Sequence, residues 1–197
     1  MKIVGAIIAG GKSSRMGGGE KTFFKLAGKD ILDLIIGRLD QQVDRLVINS
    51  NGDGQKFSDT GLEIVPDIIR TLTTPLAGLH ACLHFAQDAD FLVTVPSDTP
   101  FLPLDLCLRL VERAQSTGAA IAHSNGRDHY IIGAWRTTLK ERLEEAIQAR
   151  GLFRVKDWAQ HVSANIVSWP HTPVDPFFNV NTPEDLLSAE AIVRADR

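Results

Sequence analysis

Apolar runs of strand length alternate with helix-length amphipathic stretches through the first 118 residues, and this alternation restricts the possible folds more than anything else in the chain. Ile3-Val4-Gly5-Ala6-Ile7-Ile8, Arg45-Leu46-Val47-Ile48-Asn49, Leu62-Glu63-Ile64-Val65 and Phe91-Leu92-Val93-Thr94-Val95 read as strands. The first and last are apolar at nearly every position, as in a parallel strand covered on both faces. Between them, Ile31, Leu32, Ile35, Ile36 and Leu39 are spaced for one buried helix face, with Asp30 at the capping position. Pro75, a good first-turn residue, opens a helix running to about Gln87. A third helix follows Pro103, its expected apolar face being Leu104, Cys107, Leu108, Val111 and Ala114, and Gly118 ends it. The order strand, helix, strand, strand, helix, strand, helix predicts an α/β fold: a three-layer αβα arrangement around a mostly parallel, Rossmann-like sheet.

The remainder is less regular. Ala119 to His123 and His129 to Trp135 are expected strands joined by the turn Ser124–Asp128. Leu139 to Ala149 and Val155 to His161 read as helices, and Ala164 to Ser168 as a strand. Pro170, Pro173 and Pro176 mark a loop. In the last helix Thr182 is placed to cap, Pro183 to occupy the first position and Asp185 to complete a capping box. With 197 residues and no repeat, the chain is read as one domain in two parts, a regular α/β half over residues 1–118 and a less regular half over 119–197.

In sheets of this kind ligands sit beyond the carboxyl ends of the strands. Three polar clusters fall at such ends: Gly10 to Lys21, Asn49 to Asn51, and Ser97 to Thr99. The first is glycine-rich and carries Lys12, Arg15 and Lys21. Exposed N–H groups in a glycine turn make an anion cradle, and Arg15 and Lys21 would neutralise phosphate charge. It is not a Walker A loop, because Ala6 stands five residues before Gly11. The dinucleotide fingerprint fails too, since Lys12 stands two residues after Gly10. Asp98 would suit Mg²⁺ as a single carboxylate ligand, completed by phosphate oxygens and water, or cap the turn into the next helix. Asn49 and Asp67 would read a ribose or base edge, and Asp67 could equally serve turn chemistry after Pro66.

A net charge of −3 argues against a general nucleic-acid or membrane surface. Cys82 and Cys107 stand alone in apolar surroundings, as buried free thiols of a cytoplasmic protein do. The first apolar run is too short for a signal or membrane segment. His80 and His84 have metal-compatible spacing but no evident third ligand, and packing is the simpler reading.

The motifs Ala9-Gly10-Gly11…Arg15-Met16-Gly17…Lys21, Pro75-Leu76-Ala77-Gly78, Ser97-Asp98-Thr99-Pro100-Phe101-Leu102-Pro103 and Asn179-Val180-Asn181-Thr182-Pro183-Glu184-Asp185-Leu186, taken together, resemble the molybdenum cofactor guanylyltransferase family within the nucleotidyltransferase superfamily. The resemblance implies transfer of GMP from GTP to the terminal phosphate of Mo-molybdopterin, with pyrophosphate released. It implies Ile8, Ala9, Gly10, Gly11, Lys21, Asn49, Asp67, Gly78 and Asp98 for GTP, with Lys21, Arg15 and Asp98 catalytic. Asp98 would hold Mg²⁺, the one implied cofactor. Asn179, Asn181 and Arg154 match positions on the pterin side. The sequence departs from the family in places: Glu20 replaces a frequent Asp, Thr74 a commoner Gly, and Asn181 a frequent metal-binding aspartate. Transient contacts with other cofactor-biosynthesis proteins or molybdoenzyme chaperones are expected of a monomer acting on GTP and Mo-molybdopterin. The alternatives are a nucleotidyltransferase using CTP or a sugar phosphate, and a non-catalytic GTP-binding chaperone.

Overall fold

The structure, a computed structural model, describes residues 1–9, 25–52 and 54–195. In chain order the elements are β1 (Ile3–Ile8), β2 (Lys25–Leu26), β3 (Lys29–Asp30), α1 (Ile31–Leu39), β4 (Arg45–Asn49), β5 (Glu63–Val65), α2 (Pro75–Phe85), β6 (Phe91–Pro96), α3 (Leu106–Ala114), β7 (Ala119–Ser124), β8 (Arg127–Arg136), α4 (Lys140–Arg150), α5 (Val155–His161), β9 (Asn165–Ser168) and α6 (Pro183–Ala195). Seven strands form one sheet in the order β5-β4-β1-β6-β8-β7-β9, and β2 and β3 pair separately. Strands β5, β4, β1 and β6 are mutually parallel, and β9 runs parallel to β7. Among the described strands of this sheet only β8 opposes its neighbours, pairing antiparallel with β6 and β7. The sheet is therefore mostly parallel and continues through residue 118, with β8 joining the second half of the chain to the first.

The alternation of β1 explains the three layers. Ile7 joins a core with Leu32, Ile35, Leu39, Leu106, Leu110 and Ala189, from α1, α3 and α6. Val4, Ala6 and Ile8 face a second core with Leu76, Leu79, Leu83, Leu143 and Trp158, from α2, α4 and α5. Burying one such Leu or Ile contributes about 1.5–3 kcal/mol, so the two-sided apolar pattern of β1 and β6 is what holds helices on both faces.

Local signals account for several boundaries. Asn125 and Gly126 both adopt positive φ, of 48° and 70°, as a two-residue hairpin turn requires. That tight turn lets β8 begin at Arg127, two residues earlier than the apolar pattern predicts. Thr182 Oγ1 accepts from the Asp185 N–H at 3.1 Å while Asp185 Oδ2 accepts from the Thr182 N–H at 2.9 Å, the reciprocal capping box expected of α6. Asp30 occupies the capping position of α1 but makes no side-chain capping bond, and its backbone pairs with Lys25 across β2 and β3.

The third helix differs from expectation. It starts at Leu106, and its buried stripe is Leu106, Cys107, Leu110, Val111 and Ala114. Leu104 and Leu108 are 68% and 61% exposed. Leucines at 102, 104, 106, 108 and 110 leave the phase of the amphipathic pattern open, and contact with the sheet decides it. No helix among the described residues is long and apolar enough to cross a membrane.

Candidate active site

The strand order reverses beside β1. From β1 the chain steps outward to β4 and β5, then returns to β6 on the other side. Ile8, the last residue of β1, pairs with Asn49 on one flank and Pro96 on the other. Ligands of doubly wound sheets bind at such a switch point. Three of the sequence-predicted residues meet on the β4 side. Asn49 is only 1% exposed, and its Nδ2 donates to the Val65 carbonyl and to Asp67 Oδ1, both at 2.9 Å. Asp67 also accepts from Asn51 Nδ2, and its own N–H donates to Asn51 Oδ1 at 2.8 Å. The carboxylate thus ties the ends of β4 and β5 together. The Asn49 backbone carbonyl accepts from the Ala9 N–H at 2.9 Å, fixing the last described residue before the glycine-rich segment.

Gly78 completes this cluster. A Cβ there would lie 2.2 Å from Asn49 Oδ1 and 2.8 Å from its Cγ, so only glycine lets α2 approach the buried amide. Its importance in the Pro75-Leu76-Ala77-Gly78 motif is therefore a backbone-to-amide contact. Gly10, Gly11, Arg15 and Lys21 lie outside the described residues.

On the β6 side, Asn179 Nδ2 donates to Asp98 Oδ1 at 3.0 Å, and the Val180 N–H donates to the Asp98 carbonyl at 2.9 Å. Two residues separated by 81 positions, one predicted for metal and one for the pterin side, are thus in direct contact. Both line a cleft of about 420 Å³ bounded by the N-termini of α2 and α5 and the start of β8. Asn181 stands two residues further on, exposed at the turn into α6, where its N–H donates to Asp185 Oδ2. Among the described residues it is not part of the cleft wall.

The cleft is cationic at its rim. Arg154 lines it and forms a bidentate pair with Asp157, with Nε–Oδ2 at 2.7 Å, and that hydrogen bond pushes its already high pKa further up. Arg127 and Lys156 also line it, and neither makes an ion pair among the described residues. The Tyr130 ring lies 5.9 Å from Lys156 Nζ, and its hydroxyl donates to Asp128 Oδ2 at 3.1 Å. Desolvation first, then that hydrogen bond, pushes the Tyr130 pKa up, so it stays a neutral donor. Three cations and an apolar wall, with Asp98 and Asn179 in the same lining, suit an anionic, partly planar ligand.

Arg127, Tyr130 and Lys156 were not identifiable from sequence. Arg127 reads as a turn residue until the Asn125-Gly126 turn pulls it into β8, and Lys156 is one of many exposed helical cations. Behind the cleft the fold also gathers Ser124, His129 and Asp175. Ser124 Oγ donates to Asp175 Oδ1 at 2.7 Å and contacts His129 Nε2 at 2.9 Å. Its proton is committed to the carboxylate and its side chain is buried, so this is a structural cluster, not a nucleophilic triad. Burial lowers the His129 pKa, which keeps the ring neutral. Cys82 and Cys107 are buried free thiols, the latter pushed up to about 12 by desolvation, and are unreactive.

A mostly parallel αβα sheet with polar strand ends at the switch point and a cationic cleft beside it defines a nucleotidyltransferase-type enzyme. Comparison with known proteins agrees. Residues 5–164 match the MobA-like NTP transferase domain. The chain is 44% identical over 207 residues to a molybdenum cofactor guanylyltransferase of Brucella ovis, covering 98% of this chain and 94% of that protein. A molybdenum cofactor guanylyltransferase of Rhodopseudomonas palustris is 39% identical over 196 residues, covering 96% and 93%. Among solved structures, molybdopterin-guanine dinucleotide biosynthesis protein A from Archaeoglobus fulgidus superposes with a TM-score of 0.73 at 24% identity, covering 99% of this chain and 100% of that one. The 4-diphosphocytidyl-2C-methyl-D-erythritol synthase of Anaerococcus prevotii gives 0.76 at 14% identity over 98% and 96%. At such identities the last two speak for the fold alone. The chain belongs to the molybdenum cofactor guanylyltransferase family.

Proposed function

We propose that the protein transfers GMP from GTP to the terminal phosphate of Mo-molybdopterin, forming molybdopterin guanine dinucleotide and pyrophosphate. The observation that carries this reading is the Asp98–Asn179 contact at the mouth of the cationic cleft, beside the switch point of the sheet. It joins a carboxylate in the first half of the chain to an amide in the second, at a place where two phosphorylated substrates could be held against each other. The family relation supports the choice of GTP over CTP or a sugar phosphate.

In this reading the acceptor phosphate attacks the α-phosphorus of GTP and the bond to the pyrophosphate breaks in line. A phosphate monoester has a second pKa near ~6 and is largely dianionic at neutral pH, so no general base is needed. Asn49, Asp67 and Gly78 form the rigid floor of the nucleotide side. Arg15, Lys21 and the Gly10-Gly11 backbone neutralise the triphosphate, and Asn181 and Arg154 act on the pterin side with Asn179. Arg127 and Lys156 add positive charge for the acceptor phosphate. Asp98, a half-buried carboxylate oriented by the Asn179 amide, fits a Mg²⁺ ligand whose other positions are phosphate oxygens and water. Bound there, Mg²⁺ supplies charge neutralisation of the phosphates. We place the reaction in the cytoplasm, where the two buried thiols stay reduced.

The test is release of pyrophosphate from GTP, with and without Mo-molybdopterin, beside CTP. Release that depends on the pterin and prefers GTP is expected. CTP turnover above GTP turnover would overturn the guanylyl assignment. Tight GTP binding without pterin-dependent release would favour a non-catalytic carrier.

A further inference from the structure

Helices α2 and α4 pack side by side on the face of the sheet that carries the second core. At their contact the fold gathers His80, His84 and Glu144, whose donor atoms all lie within 4.8 Å of one another. His80 is 1% exposed, yet neither ring nitrogen has a hydrogen-bond partner. The buried Nε2 of His84 is also without a hydrogen bond, 3.6 Å from Glu144 Oε2. The two rings lie 4.5 Å apart between centroids, one helical turn from each other. A buried polar group left unsatisfied is costly to the fold and is rare in native proteins. Two adjacent imidazoles with orphaned nitrogens, facing one carboxylate, form a donor set that lacks its acceptor.

We propose that His80, His84 and Glu144 bind a divalent transition metal, zinc or a zinc-like ion, that staples α2 to α4. Two imidazoles and one carboxylate are zinc ligands, whereas magnesium and calcium take oxygen donors almost entirely. Tetrahedral bonds of about 2.1 Å place donors roughly 3.4 Å apart, so side-chain rotation of about 1 Å closes the present cluster onto an ion. His84 and Glu144 reach the surface and give the ion a path in, while His80 anchors it from inside. Burial, followed by the neighbouring His84, lowers the His80 pKa, which keeps the imidazole in its metal-binding neutral form. Glu144 and Asp67 oppose that shift with their negative charge and favour a cation in the same place.

Location gives the site its meaning. Helix α2 carries Gly78, which packs on Asn49, and its capping residue Thr74 and first residue Pro75 form part of the cleft wall. Helix α4 belongs to the second half of the chain. A metal here clamps the two halves from the flank of the catalytic cleft without touching it, and is distinct from any ion at Asp98.

The experiment uses the whole protein, stripped with EDTA and desalted, then loaded with zinc chloride or cobalt chloride. One zinc retained per chain after gel filtration is expected, with tetrahedral d–d absorption for cobalt and a higher melting temperature. Magnesium chloride is expected to leave that temperature unchanged. His84→Ala and Glu144→Gln alter partly exposed side chains, so folding is not at risk. Each is expected to weaken zinc at least about 10-fold, the loss typical of removing even an outer partner of a metal ligand, and to abolish the melting shift. Failure to retain zinc would show that water serves the orphaned nitrogens and would overturn the proposal. Retention unaffected by both substitutions would assign the zinc to other histidines and overturn it equally. These readouts are independent of guanylyl transfer.

Discussion

The contact between Gly78 and Asn49 gives the sharpest test of how the nucleotide side is built. In Gly78→Ala the new Cβ falls 2.2 Å from Asn49 Oδ1. Ordinary contact requires the amide to retreat by more than about 1 Å. Asn49 is enclosed, and its Nδ2 is held by the Val65 carbonyl and Asp67 Oδ1, both at 2.9 Å. Such a retreat breaks both bonds. A neutral hydrogen bond is worth about 1 kcal/mol and one to a carboxylate about 1.5–3 kcal/mol. Alanine returns about 1 kcal/mol through helix propensity. The balance is a loss of about 1.5–3 kcal/mol, which for a chain of this size lowers Tm by roughly 3–12 °C. Because Asn49 also holds Ala9 through its carbonyl, the KM for GTP should rise as well. The decisive assay is a double-mutant cycle by thermal or urea unfolding. In an Asn49→Ala background the clash is gone, and Gly78→Ala should become neutral or stabilising by up to about 1 kcal/mol. An equal cost in both backgrounds would refute the reasoning.

Asp98→Ala should lower kcat by roughly 10²–10³-fold, the scale of losing one preorganised electrostatic contact, with little change in KM for GTP; equal losses in both would contradict a metal-centred role. Stability should fall on mild acidification. His80 and His129 both sit below the ordinary imidazole value of 6.5, chiefly through burial. The unfolded chain therefore binds more protons below 6.5, so the stabilisation is intact above that pH and is lost as pH drops through it. A urea midpoint that holds constant from about pH 7.5 to about pH 5.5 would show that these rings are not held neutral by the fold.

What the sequence made legible follows from the range of each interaction. Strands β1 and β6 read correctly because burial on both faces needs an unbroken apolar run. The α6 cap was equally visible, since a capping box acts within four residues, whereas the hairpin turn was placed at Ser124–Asp128 and is only Asn125-Gly126, with Arg127 and Asp128 already in β8. Helix α3 was found but its buried face was misphased, because Leu102, Leu104, Leu106, Leu108 and Leu110 satisfy more than one periodicity and only the sheet chooses. The contacts that define the active site are long-range. Asp98 and Asn179 each stood in a recognisable motif, yet their hydrogen bond spans 81 positions and depends on the loop before α6 returning to the end of β6. The same limit hid Glu144 from His80 and His84. A pair at i and i+4 was visible, and the third donor came from a helix about 60 residues away, brought close only because both helices cover one face of one sheet. Short-range signals therefore located the candidate residues. Topology decided which of them became neighbours, and it paired Asp98 with an acceptor-side amide rather than with the β4 cluster. Under the proposed transfer, chemistry at this site sits where the two halves of the chain meet.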